Sequence, residues 1–200
     1  KLLQHGRVTV AHRTCYEVIA ENGLFQCELT GNMLFGKPDF ELPCVGDWVI
    51  FQSIDTERGI IFDRLPRQKT LSRLKSGTVT EKQAIASYVD KAFIVQSLDA
   101  NFSARRIERF MVQMANEQIQ PALALTKSDL AFDKEDIEQA LKHIAHKIPV
   151  FITSIHQPDS ITAIRNFIAT GETVVFIGLS GAGKSSLINC LYGQDVLQTS

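Results

Sequence analysis

Cysteine is scarce: there are four in 200 residues, and Cys15, Cys27, Cys44 and Cys190 stand far apart. No CxxC pair occurs among them, which excludes the usual zinc-site spacing, and their density is far below that of a secreted disulfide scaffold. Reduced thiols are expected. Long apolar runs are missing too. None approaches the ~20 residues of a membrane-spanning helix, and Lys1 to Arg7 are too polar for a signal peptide, so a cytoplasmic protein without a membrane partner is expected. Charge of one sign is equally lacking, with 21 basic against 22 acidic residues and a net charge of -1. A nucleic-acid-binding surface would therefore have to be local. No internal repeat or low-complexity tract is present. What remains is an ordinary globular composition, 44% hydrophobic, enough to form a core.

Two regions differ in their hydrophobic period. From Gly6 to Leu65 the apolar residues come in short runs, Val8–Val10, Tyr16–Ile19, Leu24–Cys27 and Trp48–Phe51, with Glu57-Arg58-Gly59 ahead of a further run. Asn22-Gly23 and Gly31-Asn32 have the composition of hairpin turns. Five strands in about sixty residues predict a small all-β barrel of the OB type. Beyond Asp90, strand-like runs (Ala92–Val95, Pro121–Leu125, Val150–Ile152, Thr173–Ile177) alternate with helical stretches (Ser103–Asn116, Lys134–Lys147, Asp159–Ala169, Leu187–Tyr192). That alternation predicts an α/β domain with parallel strands and crossover helices. The expected division is a barrel over 1–68 and an α/β domain over 69–200, with 69–84 as linker. Arg64, Arg67, Lys69, Arg73 and Lys75 crowd this junction with no acid between them, and they are the candidate RNA-binding residues.

The motif richest in chemistry is Gly178-Leu179-Ser180-Gly181-Ala182-Gly183-Lys184-Ser185-Ser186, which fits GxxxxGK[ST] between a predicted strand and a predicted helix. Its glycines let consecutive backbone N–H groups and a helix start approach a polyphosphate. Lys184 would neutralise the β- and γ-phosphates, and the Ser185 hydroxyl would meet the magnesium that bridges them, so these two are the candidate catalytic residues. Thr126-Lys127-Ser128-Asp129 follows the strand Pro121–Leu125 and matches the guanine-reading pattern [NT]KxD. The Asp129 carboxylate can accept from both N–H donors on one guanine edge, and the Lys127 stem can cover the base. Thr153-Ser154-Ile155 follows the next strand and resembles the [ST]SA element of GTPases, with Ile155 in the alanine position.

Other candidates have plainer readings. Trp48, on a strand between Asp47 and Val49, is expected in the core rather than stacked on a base. His143 and His146 are three apart on a predicted helix without a third ligand nearby, and are expected on a solvated face. Arg105, Arg106 and Arg109 fit the wet side of an amphipathic helix.

In most GTPases the phosphate loop precedes the base-reading elements, whereas here Asp129 and Ser154 precede Lys184. The order is circularly permuted, a rearrangement that leaves the strand ends converging on the same site. With Gly46-Asp47-Trp48-Val49, Leu65-Pro66-Arg67, Ile85 to Asp90 and Arg105 to Phe110 beside the three motifs, the chain resembles the RsgA or YjeQ family of ribosome-small-subunit-dependent GTPases. The resemblance covers nearly the whole chain. It implies a cytoplasmic bacterial enzyme that uses GTP, GDP and magnesium, and a monomer is expected. It also implies binding to the small ribosomal subunit and its rRNA late in assembly, with subunit-stimulated hydrolysis. A DxxG switch segment after the phosphate loop and a C-terminal zinc-binding domain, both features of the family, do not occur in these residues. The chain is therefore expected to be truncated after the phosphate-loop helix, to bind guanine nucleotide and to hydrolyse GTP slowly or not at all. Zinc is expected only with a further domain. The alternatives are an adenine-using P-loop ATPase or kinase, and a non-catalytic RNA-binding module with a structural nucleotide.

Overall fold

The computed structural model of the chain describes residues 2–12, 14–74, 81–130 and 134–199, which divide into two compact units, Lys1–Val89 and Asp90–Ser200. In the first unit, β1 (Gln4–Ala11), β2 (Cys15–Ala20), β3 (Gly23–Leu29), β4 (Trp48–Ser53) and β5 (Arg58–Arg64) close into a barrel in the order β1-β2-β3-β5-β4. All pairs are antiparallel except β3 with β5. This is the expected OB-type barrel. Alternate residues point inward, as a half-buried strand requires, and Val8, Val18, Phe25, Val49, Phe51 and Ile61 form its core. The expected turn at Gly31-Asn32 is instead the start of the short helix α1 (Gly31–Gly36), because the Thr30 hydroxyl accepts from the Met33 N–H as an N-cap. The helix buries Met33 in the barrel core.

Two further expectations change in this unit. Trp48 is 39% exposed rather than in the core. In cross-strand register it lies beside Arg7, whose guanidinium stands 6.0 Å from the indole centroid. The linker expected over 69–84 holds β6 (Leu71–Leu74) and β7 (Lys82–Ala86), an antiparallel pair. The segment is stitched to the barrel unit by Ser87 N–H donating to Val45 O at 2.9 Å and Tyr88 Oη to Pro66 O at 2.7 Å. The first unit thus runs to Val89, beyond the expected boundary at 68.

Two residues of the basic junction, Arg64 and Arg67, are engaged within the fold. Asp47 is fully buried and pairs with Arg67 at 2.6 Å, the arginine side chain being only 7% exposed. Arg67 donates in addition to Leu42 O and Phe40 O, and Asp47 accepts from the Cys44 N–H at 2.8 Å. Arg64 donates to Glu41 O and Leu65 O. Arg67 and Arg64 are therefore engaged within the barrel unit, at the exit of its last strand. Arg73 is exposed and donates to Gln83 Oε1, Lys69 takes a positive φ of 45°, and Lys75 lies outside the described residues. All four cysteines are free thiols, and burial pushes Cys27 and Cys44 up to about 12.

The second unit is a four-stranded parallel sheet in the order β10-β9-β8-β11, formed by β8 (Lys91–Ser97), β9 (Gln120–Thr126), β10 (Val150–Ile152) and β11 (Val174–Ile177). β8 is buried along its whole length, and its apolar run Ala92–Val95 is that of a strand covered on both faces. On one face Phe93, Val95, Ala122 and Ala124 pack against Ile161 and Ile164 of α4 (Pro158–Phe167) and Leu187 of α5 (Lys184–Tyr192). On the other, Ile94, Leu123 and Leu125 meet Ile107 of α2 (Ala104–Asn116) and Leu141 of α3 (Lys134–Leu141). The helix expected to reach Lys147 ends at Leu141 and continues as tight turns with i to i−3 bonds such as Ile144 N–H to Leu141 O. Those turns bury Ile144 and Ile148 and leave His143 and His146 exposed.

Candidate nucleotide site

All four strands run the same way, so their C-terminal ends share one sheet edge, where α/β folds gather ligands. The three motifs sit there: the TKSD run closes β9, Thr153-Ser154 follows β10, and the glycine loop joins β11 to α5.

The loop's glycines answer different needs. A Cβ on Gly178 would stand 2.3 Å from Val95 O, so a side chain there would push the loop off the sheet. Gly183 has a φ of +83° and caps α5, in the left-handed region where glycine carries no steric penalty. Lys184 folds its ammonium into the loop, donating to Gly178 O at 3.1 Å and Leu179 O at 2.6 Å. Ser185 and Ser186 are half-buried in the first turn of α5, while Leu179, Ser180 and Gly181 are exposed and Ala182 is buried. Backbone N–H groups at a helix start, one lysine and a serine hydroxyl suit a phosphate chain and its divalent cation.

The TKSD and TSI runs are tied to this loop and to each other. Thr126 is buried, and its hydroxyl donates to Ala182 O at 2.7 Å, a direct link between base motif and glycine loop. Ser128 N–H donates to Thr153 O at 3.2 Å. Thr153 turns its own hydroxyl to Leu125 O at 3.0 Å, so it serves the strand end more than a ligand. Ser154 is buried and donates to Asp129 Oδ1 at 2.5 Å. That donation, with Asp129's own backbone N–H and the charge of His156, holds the carboxyl below the usual carboxylate range. It is ionised at neutral pH, with acceptor capacity left over.

Around these groups lies a cavity of about 190 Å³, lined by Lys127, Asp129, Leu130, Ile155, His156 and Ser186, among others. Apolar walls with a few convergent polar groups suit a flat heterocycle. Sequence reasoning missed His156 and Leu130 on its wall, and it missed Asp99, whose carboxylate meets Lys127 Nζ at 3.1 Å. Asp99 stands just past the end of β8, so the edge rule that located the other motifs could have found it. Among the described residues no group of three His, Cys, Asp or Glu side chains could hold a metal ion, and no helix is long and apolar enough to cross a membrane.

An OB-type barrel followed by an α/β unit whose base motif precedes its phosphate loop defines a circularly permuted P-loop GTPase fold. The chain belongs to the RsgA GTPase family, whose sequence model matches residues 64–200. It is 59% identical over 200 residues to small ribosomal subunit biogenesis GTPase RsgA 1 of Bacteroides thetaiotaomicron, covering all of this chain and 56% of that protein. It is 34% identical over 197 residues to RsgA 2 of Lactiplantibacillus plantarum, covering 97% and 55%. Among solved structures, YjeQ from Thermotoga maritima matches with a TM-score of 0.71 at 25% identity, over 95% of this chain and 65% of that one. YloQ, described as a circularly permuted GTPase, matches at 0.66 and 29% identity, over 94% and 64%. The chain thus spans about half the length of the curated relatives it matches.

Proposed function

We propose that this chain carries the guanine-nucleotide site of a GTPase acting in biogenesis of the small ribosomal subunit, in the cytoplasm and as a monomer. The observation that carries the reading is the Thr126 hydroxyl bound to Ala182 O at 2.7 Å, because it joins a base-reading motif to a phosphate loop despite their permuted order. The backbone N–H groups of 178–183 and the Lys184 ammonium bind the phosphates and stabilise negative charge on their oxygens, the larger part of catalysis in phosphoryl transfer. Ser185 offers its hydroxyl to magnesium, which when bound supplies further charge neutralisation at the β- and γ-phosphates. Asp129 accepts the guanine N1–H and N2–H, and the buried Ser154 keeps its carboxylate turned to the base.

The relatives' names support the small subunit as partner. For its rRNA, the exposed Arg73 and the barrel surface are the better candidates, since Arg64 and Arg67 are engaged within the unit. Titrating GDP, GTP and ATP against the chain, with GTP turnover measured with and without small subunits, tests the reading. Tight binding of GDP and GTP with ATP at least a hundredfold weaker is expected. Equal affinity for ATP would favour an adenine-using enzyme instead. Subunit binding that never alters turnover would favour an RNA-binding module with a structural nucleotide.

A further inference from the structure

Lys127 must satisfy two demands. Its stem has to lie along the base, yet a lysine side chain has many rotamers, and ordering it on binding weakens affinity unless something holds it beforehand. Its charge also has to stay away from Asp129, two residues on and lining the same cavity, because an ammonium on that carboxylate would compete with the guanine N–H donors. We propose that Asp99, which no motif includes, is the positioning residue that meets both demands, an inference that rests on the base-pocket reading above.

The loop from β8 to α2 is built to hold this carboxylate still. Leu98 N–H donates to Thr126 O at 2.9 Å, which binds the loop to the base motif itself. The Gln96 amide grips Ser103 through two bonds, donating to its carbonyl at 3.0 Å and accepting its N–H at 2.9 Å. Within the loop, Asp99 O accepts from Phe102 N–H, and Asp99 Oδ1 accepts from Asn101 N–H at 2.9 Å. One carboxylate oxygen is thereby fixed to the loop, and the other, Oδ2, faces Lys127 Nζ at 3.1 Å. The Asn101 N–H, and after it the Lys127 ammonium, hold the Asp99 carboxyl down at about 2, so the anchor is charged at any working pH. The lysine backbone is itself set at a φ of +60°, an orientation uncommon for a residue with a side chain. Two carboxylates thus have separate tasks, one lining the pocket and one behind a residue that lines it. Asp129 is held by Ser154 for the edge of the base, and Asp99 holds Lys127 for its face.

The test uses GDP affinity of the full chain in Asp99→Asn, in Lys127→Met, which keeps the stem and loses the charge, and in the double variant. Asp99→Asn is expected to weaken GDP by about three- to tenfold, between the effects of an exposed ion pair and a charged hydrogen bond. In the Lys127→Met background it should add nothing. A face contact ignores the identity of the edge, so the same factor should apply to xanthosine diphosphate when Asp129→Asn is the parent. Asp99→Ser, which keeps an acceptor for Asn101 N–H, serves if the asparagine variant does not melt cooperatively, and Asp99→Glu should recover part of the loss. Unchanged GDP affinity, or the full loss persisting in Lys127→Met, overturns the proposal. If Asp129→Asn and Lys127→Met both bind GDP normally, the pocket reading has failed first and takes this inference with it.

Discussion

The two units use ion pairs in opposite ways. In the barrel unit, Asp47 is wholly buried and Arg67 is 7% exposed, with the guanidinium also donating to Leu42 O and Phe40 O. In the α/β unit, Asp99 and Lys127 pair at 3.1 Å with side-chain exposures of 23% and 37%, at a sheet edge beside a cavity. A buried pair that loses one partner leaves an unpaired charge in low dielectric, so its role is to fix structure. A half-exposed pair held by backbone groups contributes little to stability and much to orientation. A basic run in a sequence is therefore no evidence of a basic surface until it is known which arginines the fold consumes.

The sharpest way to break this comparison is Arg67→Glu. It sets a carboxylate against the buried Asp47 and orphans the carbonyls of Leu42 and Phe40, at a cost of about 3–5 kcal/mol by chemical denaturation. GDP binding by the second unit should persist. A cost below about 1 kcal/mol together with lost subunit binding would return Arg67 to the surface.

In the α/β unit the same logic predicts lost binding without lost stability. Lys184→Ala removes the one ammonium inside the phosphate loop and should weaken GDP and GTP by about 100-fold or more while the melting temperature stays within a few degrees. Calorimetric titration beside a thermal melt separates the two effects, and normal affinity in a folded variant would sink the phosphate-loop assignment. Asp129→Asn comes next. Two guanine donors lose an ionised acceptor, about 1.5–3 kcal/mol, and xanthine nucleotides should gain because their 2-oxo group accepts where guanine donates. Unchanged GDP affinity there would reassign Asp129 to a helix-start role.

Much of this was legible in the sequence because the relevant physics is local. Gly178 to Ser186 must adopt a tight loop between strand and helix, and TKSD must sit at a strand end, whatever surrounds them. Strand alternation likewise exposed the barrel. What stayed hidden depends on long-range partners. Arg67 is decided by Asp47, 20 residues away. Trp48 alternates on its strand with the buried Val49, so the outward register that exposes it could be settled only by the barrel's closure. The turn at Gly31-Asn32 became a helix because Thr30 could cap it, and Asp99 carried no motif because its task is defined by a lysine 28 positions on.

The smallest effect tests the link between motifs. Thr126→Val is nearly isosteric and removes the hydroxyl that donates to Ala182 O at 2.7 Å. The site is buried, so the Ala182 carbonyl loses a partner. The stability cost should be about 1 kcal/mol, that of one neutral hydrogen bond. If the bond also sets the distance between base motif and phosphate loop, the loss should divide unequally among ligands. GDP, which spans both motifs, should weaken several-fold, whereas guanosine, which reaches only the base pocket, should keep its affinity. Equal weakening of GDP and guanosine would mean that the hydroxyl shapes the base pocket alone, and the two motifs would then be neighbours rather than a coupled site.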